Sequence, residues 1–221
     1  MDYQAVRHNM VENQIRPNRV TDAGVIDAMA EIPREKFVPE EAAGIAYVDE
    51  ATLIGEGRFL LAPMLLARLL QTAQISEDDL VLNIGCGSGY SAAVLARMAK
   101  AVVAVEVNQA LAEKASALMV ELGIDNAVVI EEVLAGGYAK QAPYDAIVIN
   151  GAVEEVPQAI LDQLADDGRL VGVVANVGAA GSAMGKAVMM TKIGGLISTT
   201  EAFDAGTPHL PGFSKAKVFE F

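Results

Sequence analysis

The sequence is poor in the residues from which disulfide frameworks and metal sites are built. Its 221 residues include one cysteine, two histidines and no tryptophan. A single cysteine cannot form an internal disulfide, and one cysteine with two histidines offers too few ligands for the usual zinc sites. We therefore expect neither a resident metal nor a disulfide scaffold.

Long apolar runs and basic residues are also scarce. No run reaches the roughly 18 residues of a membrane-spanning helix, and residues 1–4 carry no apolar signal segment. We therefore expect a cytoplasmic protein without a membrane partner. Lysine and arginine number 16 against 29 acidic residues, which gives a net charge of −13. Since a negative surface repels phosphate backbones, we expect no nucleic-acid partner.

Glycine, in contrast, is plentiful, and three glycines follow an apolar run at residues 80–84. They are Gly85, Gly87 and Gly89, and a helical apolar pattern comes directly after them. This order predicts a strand, a tight turn and a helix, in which glycine lets a ligand approach the backbone. The helix start would also offer free N–H groups. The G-x-G-x-G spacing alone is equally compatible with a turn that binds nothing.

The next apolar run strengthens the case for a ligand. Residues 101–106 end in Glu106, about 20 positions after the first glycine. An acid at the end of the second strand is placed to accept hydrogen bonds from a ribose diol. Together the two features predict a nucleoside cofactor. Cys86 is interpreted as a small side chain that fills the turn, rather than as a reactive thiol.

Strands and helices alternate through the middle of the chain. Predicted strands cover residues 80–84, 101–106, 127–131, 144–149 and 169–174, and predicted helices cover 89–99, 109–122 and 157–165. This alternation predicts an α/β fold with a doubly wound, mostly parallel sheet. Ligands of such sheets bind beyond the carboxyl ends of the strands, where the glycine loop, Glu106 and Asn150 fall.

The flanking segments follow other patterns. One helix is predicted at residues 4–16 and ends at Pro17. A second begins after Thr21 and Asp22, which can cap it. An extended loop at 47–62 then leads to a helix that begins at Pro63. Short apolar runs at 187–190, 196–200 and 218–221 predict antiparallel strands at the sheet edge. We expect a single domain, 1–221, with an N-terminal helical part and loop (1–75), a core (76–177) and C-terminal edge strands (178–221).

Several segments resemble one known family. Residues 84–96 are similar to the cofactor loop of the protein-L-isoaspartate O-methyltransferases, class I enzymes that use S-adenosylmethionine. Segments 10–15, 32–39, 46–49, 54–57 and 142–147 resemble further family signatures in the same order. The resemblance implies a Rossmann-like methyltransferase that esterifies L-isoaspartyl residues of damaged proteins, a protein repair reaction.

The resemblance also assigns residues to the two sides of a site. The residues expected around the cofactor are Gly85, Cys86, Gly87, Ser88, Gly89, Tyr90 and Glu106. The residues expected in the wall that faces the methyl acceptor are Ile54, Gly55, Gly57 and Phe59.

One departure from the family pattern lies on the acceptor side. After Gly57 the family usually shows Gln-Thr-Ile-Ser-x-Pro, whereas this chain has Arg58-Phe59-Leu60-Leu61-Ala62-Pro63. Leu61 thus stands where the family has a serine that helps to hold the substrate carboxylate. Arg58 is a candidate replacement through a charge-assisted pair, or else a surface arginine.

Two departures lie on the cofactor side. Asn83 stands where the family often has glutamate, and the family's Gly-Asp-Gly is missing, with Glu132 as a substitute or simply a solvated strand-end acid. The resemblance and these departures together leave three functions open. The first is isoaspartyl methyl esterification, which the resemblance implies. The second is a methyltransferase of the same fold with another acceptor, and the third is a non-catalytic homologue that binds cofactor or a partner.

Overall fold

A computed structural model describes residues 1–175 and 182–214 of the chain. Nine strands lie within these residues: β1 Thr52–Gly55, β2 Arg58–Leu60, β3 Leu80–Ile84, β4 Ala101–Glu106, β5 Ala127–Glu131, β6 Tyr144–Val153, β7 Leu164–Val174, β8 Ser182–Ile193 and β9 Leu196–Pro208. Strands β1 and β2 form a separate antiparallel hairpin, and the other seven strands form one sheet.

The seven-stranded sheet has the order β5-β4-β3-β6-β7-β8-β9. Strands β3 to β7 pair in parallel, and β8 and β9 are antiparallel to their neighbours. The central strands are apolar on both faces because helices cover both sides of a parallel sheet. The predicted doubly wound sheet and the antiparallel edge at β8 and β9 are confirmed. The predicted strand at 218–221 lies outside the described residues.

Six α-helices accompany the strands: α1 Tyr3–Met10, α2 Ala23–Glu31, α3 Pro63–Ala73, α4 Tyr90–Ala96, α5 Gln109–Glu121 and α6 Gln158–Leu161. Asp22 caps α2 by accepting a hydrogen bond from Val25 N, and Asn108 caps α5 through Leu111 N. Two apolar clusters fill the two faces of the sheet. Within the described residues, every helix is too short or too polar to cross a bilayer.

Some predicted boundaries are wrong. The predicted helix at 4–16 is α1 followed by a π turn at Val11–Ile15, and Pro17 lies inside the 3-10 turn Arg16–Asn18. The predicted helix at 157–165 is only α6, since β7 already begins at Leu164. The predicted extended loop at 47–62 contains the β1–β2 hairpin, whose turn is made by residues 55–57 in left-handed conformations.

Candidate active site

The candidate site lies where the strand order reverses, between β3 and β6. The turn after β3 has positive φ at Gly85 (72°), Gly87 (58°) and Gly89 (99°), a conformation that other residues adopt only with strain. Gly85 N and Cys86 N both donate to Val105 O, which ties the turn to the end of β4. The glycine loop and Glu106 therefore meet at one edge of the sheet.

Glu106 accepts five hydrogen bonds at the end of β4. Its Oε1 accepts from Val107 N at 3.0 Å, from Asn108 N at 3.2 Å and from Arg58 Nε at 3.0 Å. Its Oε2 accepts from Gly87 N at 2.7 Å and from Arg58 Nη2 at 2.9 Å. Both carboxylate oxygens are therefore engaged by groups of this chain.

Arg58 approaches this carboxylate from β2 of the hairpin. Its side chain is 4% exposed and that of Glu106 is 0% exposed, so the ion pair is shielded from water. Arg58 Nη2 also donates to Gly85 O at 3.1 Å. The alternative of a surface arginine is therefore wrong. In the described conformation its guanidinium is held by Glu106 and the glycine loop, so the pairing of Arg58 with an acceptor carboxylate stays a prediction.

Side chains of this chain also fill the space beside the loop glycines. A Cβ atom added to Gly85 would lie 2.8 Å from Leu210 Cδ2 and 3.0 Å from Arg58 Nη2. A Cβ atom added to Gly87 would lie 2.6 Å from Ile54 Cδ1. The glycines thus permit a close approach, and in the described conformation the approaching atoms belong to the hairpin and to Leu210. The approach of a ligand stays a prediction.

Little open volume remains in the cleft. The cavity beside the glycine loop measures about 10 Å³ and is lined by Phe59, Leu60, Leu61, Leu66, Gly85, Cys86, Tyr90, Ser91 and Asn150. Pockets for cofactor-sized molecules measure roughly 300–1,000 Å³. In the described conformation this cavity is too small for a nucleoside cofactor, although the loop and the acid that would hold one are present.

Several buried polar atoms in this region lack protein partners, among them the Tyr90 hydroxyl and Asn150 Oδ1, which line the cavity, and Asn83 Nδ2 on β3. Asn150 donates through Nδ2 to Ile84 O at 3.1 Å, but its Oδ1 is unpaired. Asn83 accepts from Ser91 Oγ at 3.0 Å, but its Nδ2 is unpaired. Buried polar groups are paired in the great majority of cases, so an unpaired donor and an unpaired acceptor here offer hydrogen-bonding capacity to a polar ligand.

Leu61 is buried against the same region. Its side chain offers no donor to a carboxylate, and its carbonyl oxygen accepts from Arg34 Nη2 at 2.7 Å. Arg34 is fully buried, also donates to Ala46 O at 2.6 Å, and lies 4.8 Å from the centroid of the Tyr90 ring. Burial lowers the pKa of Arg34 and raises that of Tyr90. Sequence reasoning missed Arg34, although it lies in the family-like segment 32–39.

The other predicted site residues have varied surroundings. Burial, and secondarily the charge of Glu106, raises the pKa of Cys86, which keeps the thiol protonated, as expected for a space-filling side chain. Ser88 donates through Oγ to Phe37 O and is buried. Glu132 is exposed, and its backbone N–H donates to Glu106 O at 3.1 Å. Its contact with a cofactor remains a prediction.

Two of the four hairpin residues expected in the acceptor wall, Ile54 and Phe59, lie beside the glycine loop or its cavity. Ile54 is buried over Gly87, and Phe59 is half-buried beside the cavity. Gly55 and Gly57 form the hairpin turn, and nothing lies within 4 Å of a Cβ atom added to either. Asp49, which precedes β1, accepts from Met64 N at 2.9 Å at the start of α3.

The sheet order, the glycine turn after β3 and the acid that ends β4 define the fold of class I S-adenosylmethionine-dependent methyltransferases. A model of the family "Protein-L-isoaspartate(D-aspartate) O-methyltransferase" matches residues 5–197. The chain belongs to this family, whose members are S-adenosylmethionine-dependent methyltransferases.

Curated relatives agree with the family match. The chain is 41% identical over 172 residues to protein-L-isoaspartate O-methyltransferase 2 of Shewanella sediminis (strain HAW-EB3), covering 76% of this chain and 69% of that protein. It is 42% identical over 168 residues to protein-L-isoaspartate O-methyltransferase of Methanoculleus marisnigri (strain ATCC 35101 / DSM 1498 / JR1), covering 76% of each.

Solved structures confirm the fold. One protein-L-isoaspartate O-methyltransferase superposes with a TM-score of 0.79 at 24% identity, covering 93% of this chain and 66% of the other. A Plasmodium falciparum structure assigned to the same family, in complex with S-adenosyl-L-homocysteine, gives a TM-score of 0.78 at 22% identity, covering 92% and 97%. Within the described residues, no group of three or more His, Cys, Asp or Glu side chains is placed to hold a metal ion.

Proposed function

We propose that this chain transfers the methyl group of S-adenosylmethionine to the free carboxylate of L-isoaspartyl residues in proteins. The observation that carries this proposal is the assembly of the family's segments at one edge of the sheet. The glycine loop, Glu106 and the hairpin at 52–60 meet there, and the family match extends over them. The unpaired Asn83 and Asn150 atoms beside the loop also favour a polar ligand.

The chemistry of this acceptor matches the residues that are present. A carboxylate with a pKa near 4 is ionised at neutral pH, so it needs no general base. The reaction then depends on alignment of the reacting groups and on exclusion of water. In the described conformation Arg58 occupies Glu106 and the cavity beside the glycine loop measures only about 10 Å³. We therefore propose that transfer takes place in a form in which the hairpin has moved away from the glycine loop.

We assign roles to the site residues on the same basis. The proposed cofactor residues are those of the loop and the strand ends: Gly85, Cys86, Gly87, Ser88, Gly89, Tyr90, Glu106 and Glu132. The proposed acceptor wall comprises Ile54, Gly55, Gly57, Phe59 and Leu61. We further propose that the chain forms one domain with an N-terminal part (1–75), a core (76–177) and a C-terminal part (178–221). We also propose that it acts on cytoplasmic proteins.

A second candidate function has its own observation. The Arg58–Glu106 pair takes up the hydrogen-bonding capacity of the ribose-binding acid, and Leu61 removes a donor from the acceptor side. Both features favour a homologue that has kept the fold but lost methyl transfer. In that case the protein would act by binding the cofactor or a partner, without transferring a methyl group.

The two functions are separated by methyl transfer from labelled S-adenosylmethionine to an isoaspartyl peptide. The aspartyl peptide of the same sequence is the control. Base-labile label on the isoaspartyl peptide alone is the expected result. If no label appears at any cofactor concentration, while the protein remains folded, the proposed reaction is wrong. Labelling of other acceptors then separates a methyltransferase with another acceptor from the second candidate, which labels none.

A further inference from the structure

We propose that the chain closes its own cofactor site, with the Arg58 guanidinium in the place of the ribose diol on Glu106. The proposal rests on the proposed function only in assigning this site to a nucleoside cofactor. The β1–β2 hairpin and the cofactor would compete for Glu106. Methyl transfer as such does not require this competition.

The geometry of the guanidinium matches that of a diol. A ribose diol offers two O–H donors to the two oxygens of an acid, and Arg58 offers Nε and Nη2 at 3.0 and 2.9 Å from the two oxygens of Glu106. Such a fork of parallel, charge-assisted hydrogen bonds is strong and directional. A ribose can therefore bind Glu106 only after Arg58 has left.

Apolar contacts close the rest of the cleft from two sides. Ile54 of β1 covers Gly87, and Leu210 covers Gly85 from the segment that follows β9. Leu210 N donates to Ala152 O at 2.9 Å, which fixes this segment along the end of β6. Two parts of the chain, the hairpin and the segment around Leu210, thus cover the loop glycines, and the cavity beside them measures only about 10 Å³.

The hairpin is the part best suited to move. It forms a two-stranded sheet of its own and, among residues 1–175 and 182–214, does not pair with a strand of the seven-stranded sheet. A two-stranded hairpin is only marginally stable by itself, so its position depends on contacts such as the Arg58–Glu106 pair. Without Arg58, Glu106 keeps three backbone donors, from Gly87, Val107 and Asn108. The acid would thus remain ordered and open to a ligand.

Closure predicts that the unaltered chain binds the cofactor more weakly than a variant that cannot close. When only a fraction of molecules is competent to bind, the apparent dissociation constant rises by the inverse of that fraction. A variant without the guanidinium should therefore bind the cofactor product more tightly. We expect R58Q to bind S-adenosyl-L-homocysteine at least about tenfold more tightly than the unaltered chain.

The test is isothermal titration calorimetry with S-adenosyl-L-homocysteine. R58K is the second variant, because its ammonium keeps a positive charge near Glu106 but lacks the fork, and we expect an intermediate affinity. R169Q is the matched control. It removes an arginine paired with Asp79, a largely buried partner before β3 at the amino-terminal edge of the sheet, far from the glycine loop. Thermal unfolding establishes that each variant is folded.

One result would overturn the proposal. It is a folded R58Q and a folded R58K that bind S-adenosyl-L-homocysteine no more tightly than the unaltered chain and R169Q. The proposed function is judged separately by ester formation. If R58Q gains affinity but no variant methylates an isoaspartyl peptide, closure holds and the proposed function fails.

Discussion

Arg58 and Glu106 form a two-pronged ion pair in which both side chains are shielded from solvent, at 3.0 and 2.9 Å. The pair joins the turn-proximal end of β2 to the carboxyl end of β4, and through Gly85 O it also reaches the glycine loop. A single interaction thus connects the acceptor wall with the cofactor loop. It also decides whether the family's ligand can enter.

The pair should contribute to stability as well as to closure. E106Q leaves a buried arginine without its counter-charge, and breaking such a pair costs roughly 3–5 kcal/mol. Urea unfolding should show this loss. E131Q is the control, because Glu131 is the register partner of Glu106 on β5 but is exposed, and it should change stability by less than about 0.5 kcal/mol. Equal effects of the two substitutions would show that the Arg58–Glu106 pair stabilises nothing.

Leu61 should limit acceptor binding. L61S restores a hydroxyl donor at this position, and one such donor on a carboxylate or oxyanion is worth roughly a hundredfold in rate. L61A is the matched control, because it opens the same space without a donor. Both substitutions remove a buried side chain and should cost roughly 2–5 kcal/mol of stability. The measurement is the initial rate of esterification of an isoaspartyl peptide; equal rates for L61S and L61A would exclude a role for the missing hydroxyl.

Cys86 should be chemically inert in the folded protein. Burial raises its pKa above the ordinary value of 9.0, so the thiolate that reacts with alkylating agents does not form. Iodoacetamide at pH 8 should modify the protein only after denaturation in guanidinium. Rapid modification of the native protein would show that the glycine loop is open in solution.

The same pKa shift predicts an alkaline loss of stability. The folded state holds the Cys86 proton more tightly than the unfolded state, so the contribution to stability is complete below pH 9 and falls as the pH rises above it. Tyr90 acts in the same direction above its ordinary pKa of 10.0. The unfolding free energy should therefore decline between pH 9 and 11, and less steeply in C86A. An unchanged slope in C86A would contradict this assignment.

Asp49 should stabilise the first turn of α3 and should take no part in methyl transfer. D49A removes the acceptor of the Met64 N–H and should cost about 1 kcal/mol, whereas D49N keeps an oxygen in place. Chemical unfolding measures the first effect, and the esterification rate checks the second. If D49N abolished transfer to an isoaspartyl peptide, Asp49 would have to serve as a base.

The strands of the core could be predicted closely because their signal is local. β3, β4 and β5 have the predicted bounds, since each is a short apolar run between turn residues. The hairpin could not be predicted in this way. β2 has only three residues, and Arg58, Phe59 and Leu60 show no alternation of polar and apolar side chains that would indicate a half-buried strand.

The candidate site could be located from the sequence, but its closed state could not. Gly85, Gly87, Gly89 and Glu106 come together as predicted, because the carboxyl ends of neighbouring parallel strands share one edge. The pairing of Arg58 with Glu106 spans 48 positions and depends on how the hairpin folds back. The sequence signal for an unusual role of Arg58 was its position before three apolar residues, 59–61, in a segment where the family has Gln-Thr-Ile-Ser.

The competition between Arg58 and the cofactor is tested most directly by the KM for S-adenosylmethionine, measured with an isoaspartyl peptide at a fixed, saturating concentration. Closure predicts that R58Q lowers this KM at least about tenfold relative to the unaltered chain and to R169Q, because less of the protein is held in the closed form. It predicts a similar kcat once the cofactor is saturating. An unchanged KM in a folded R58Q would contradict the account.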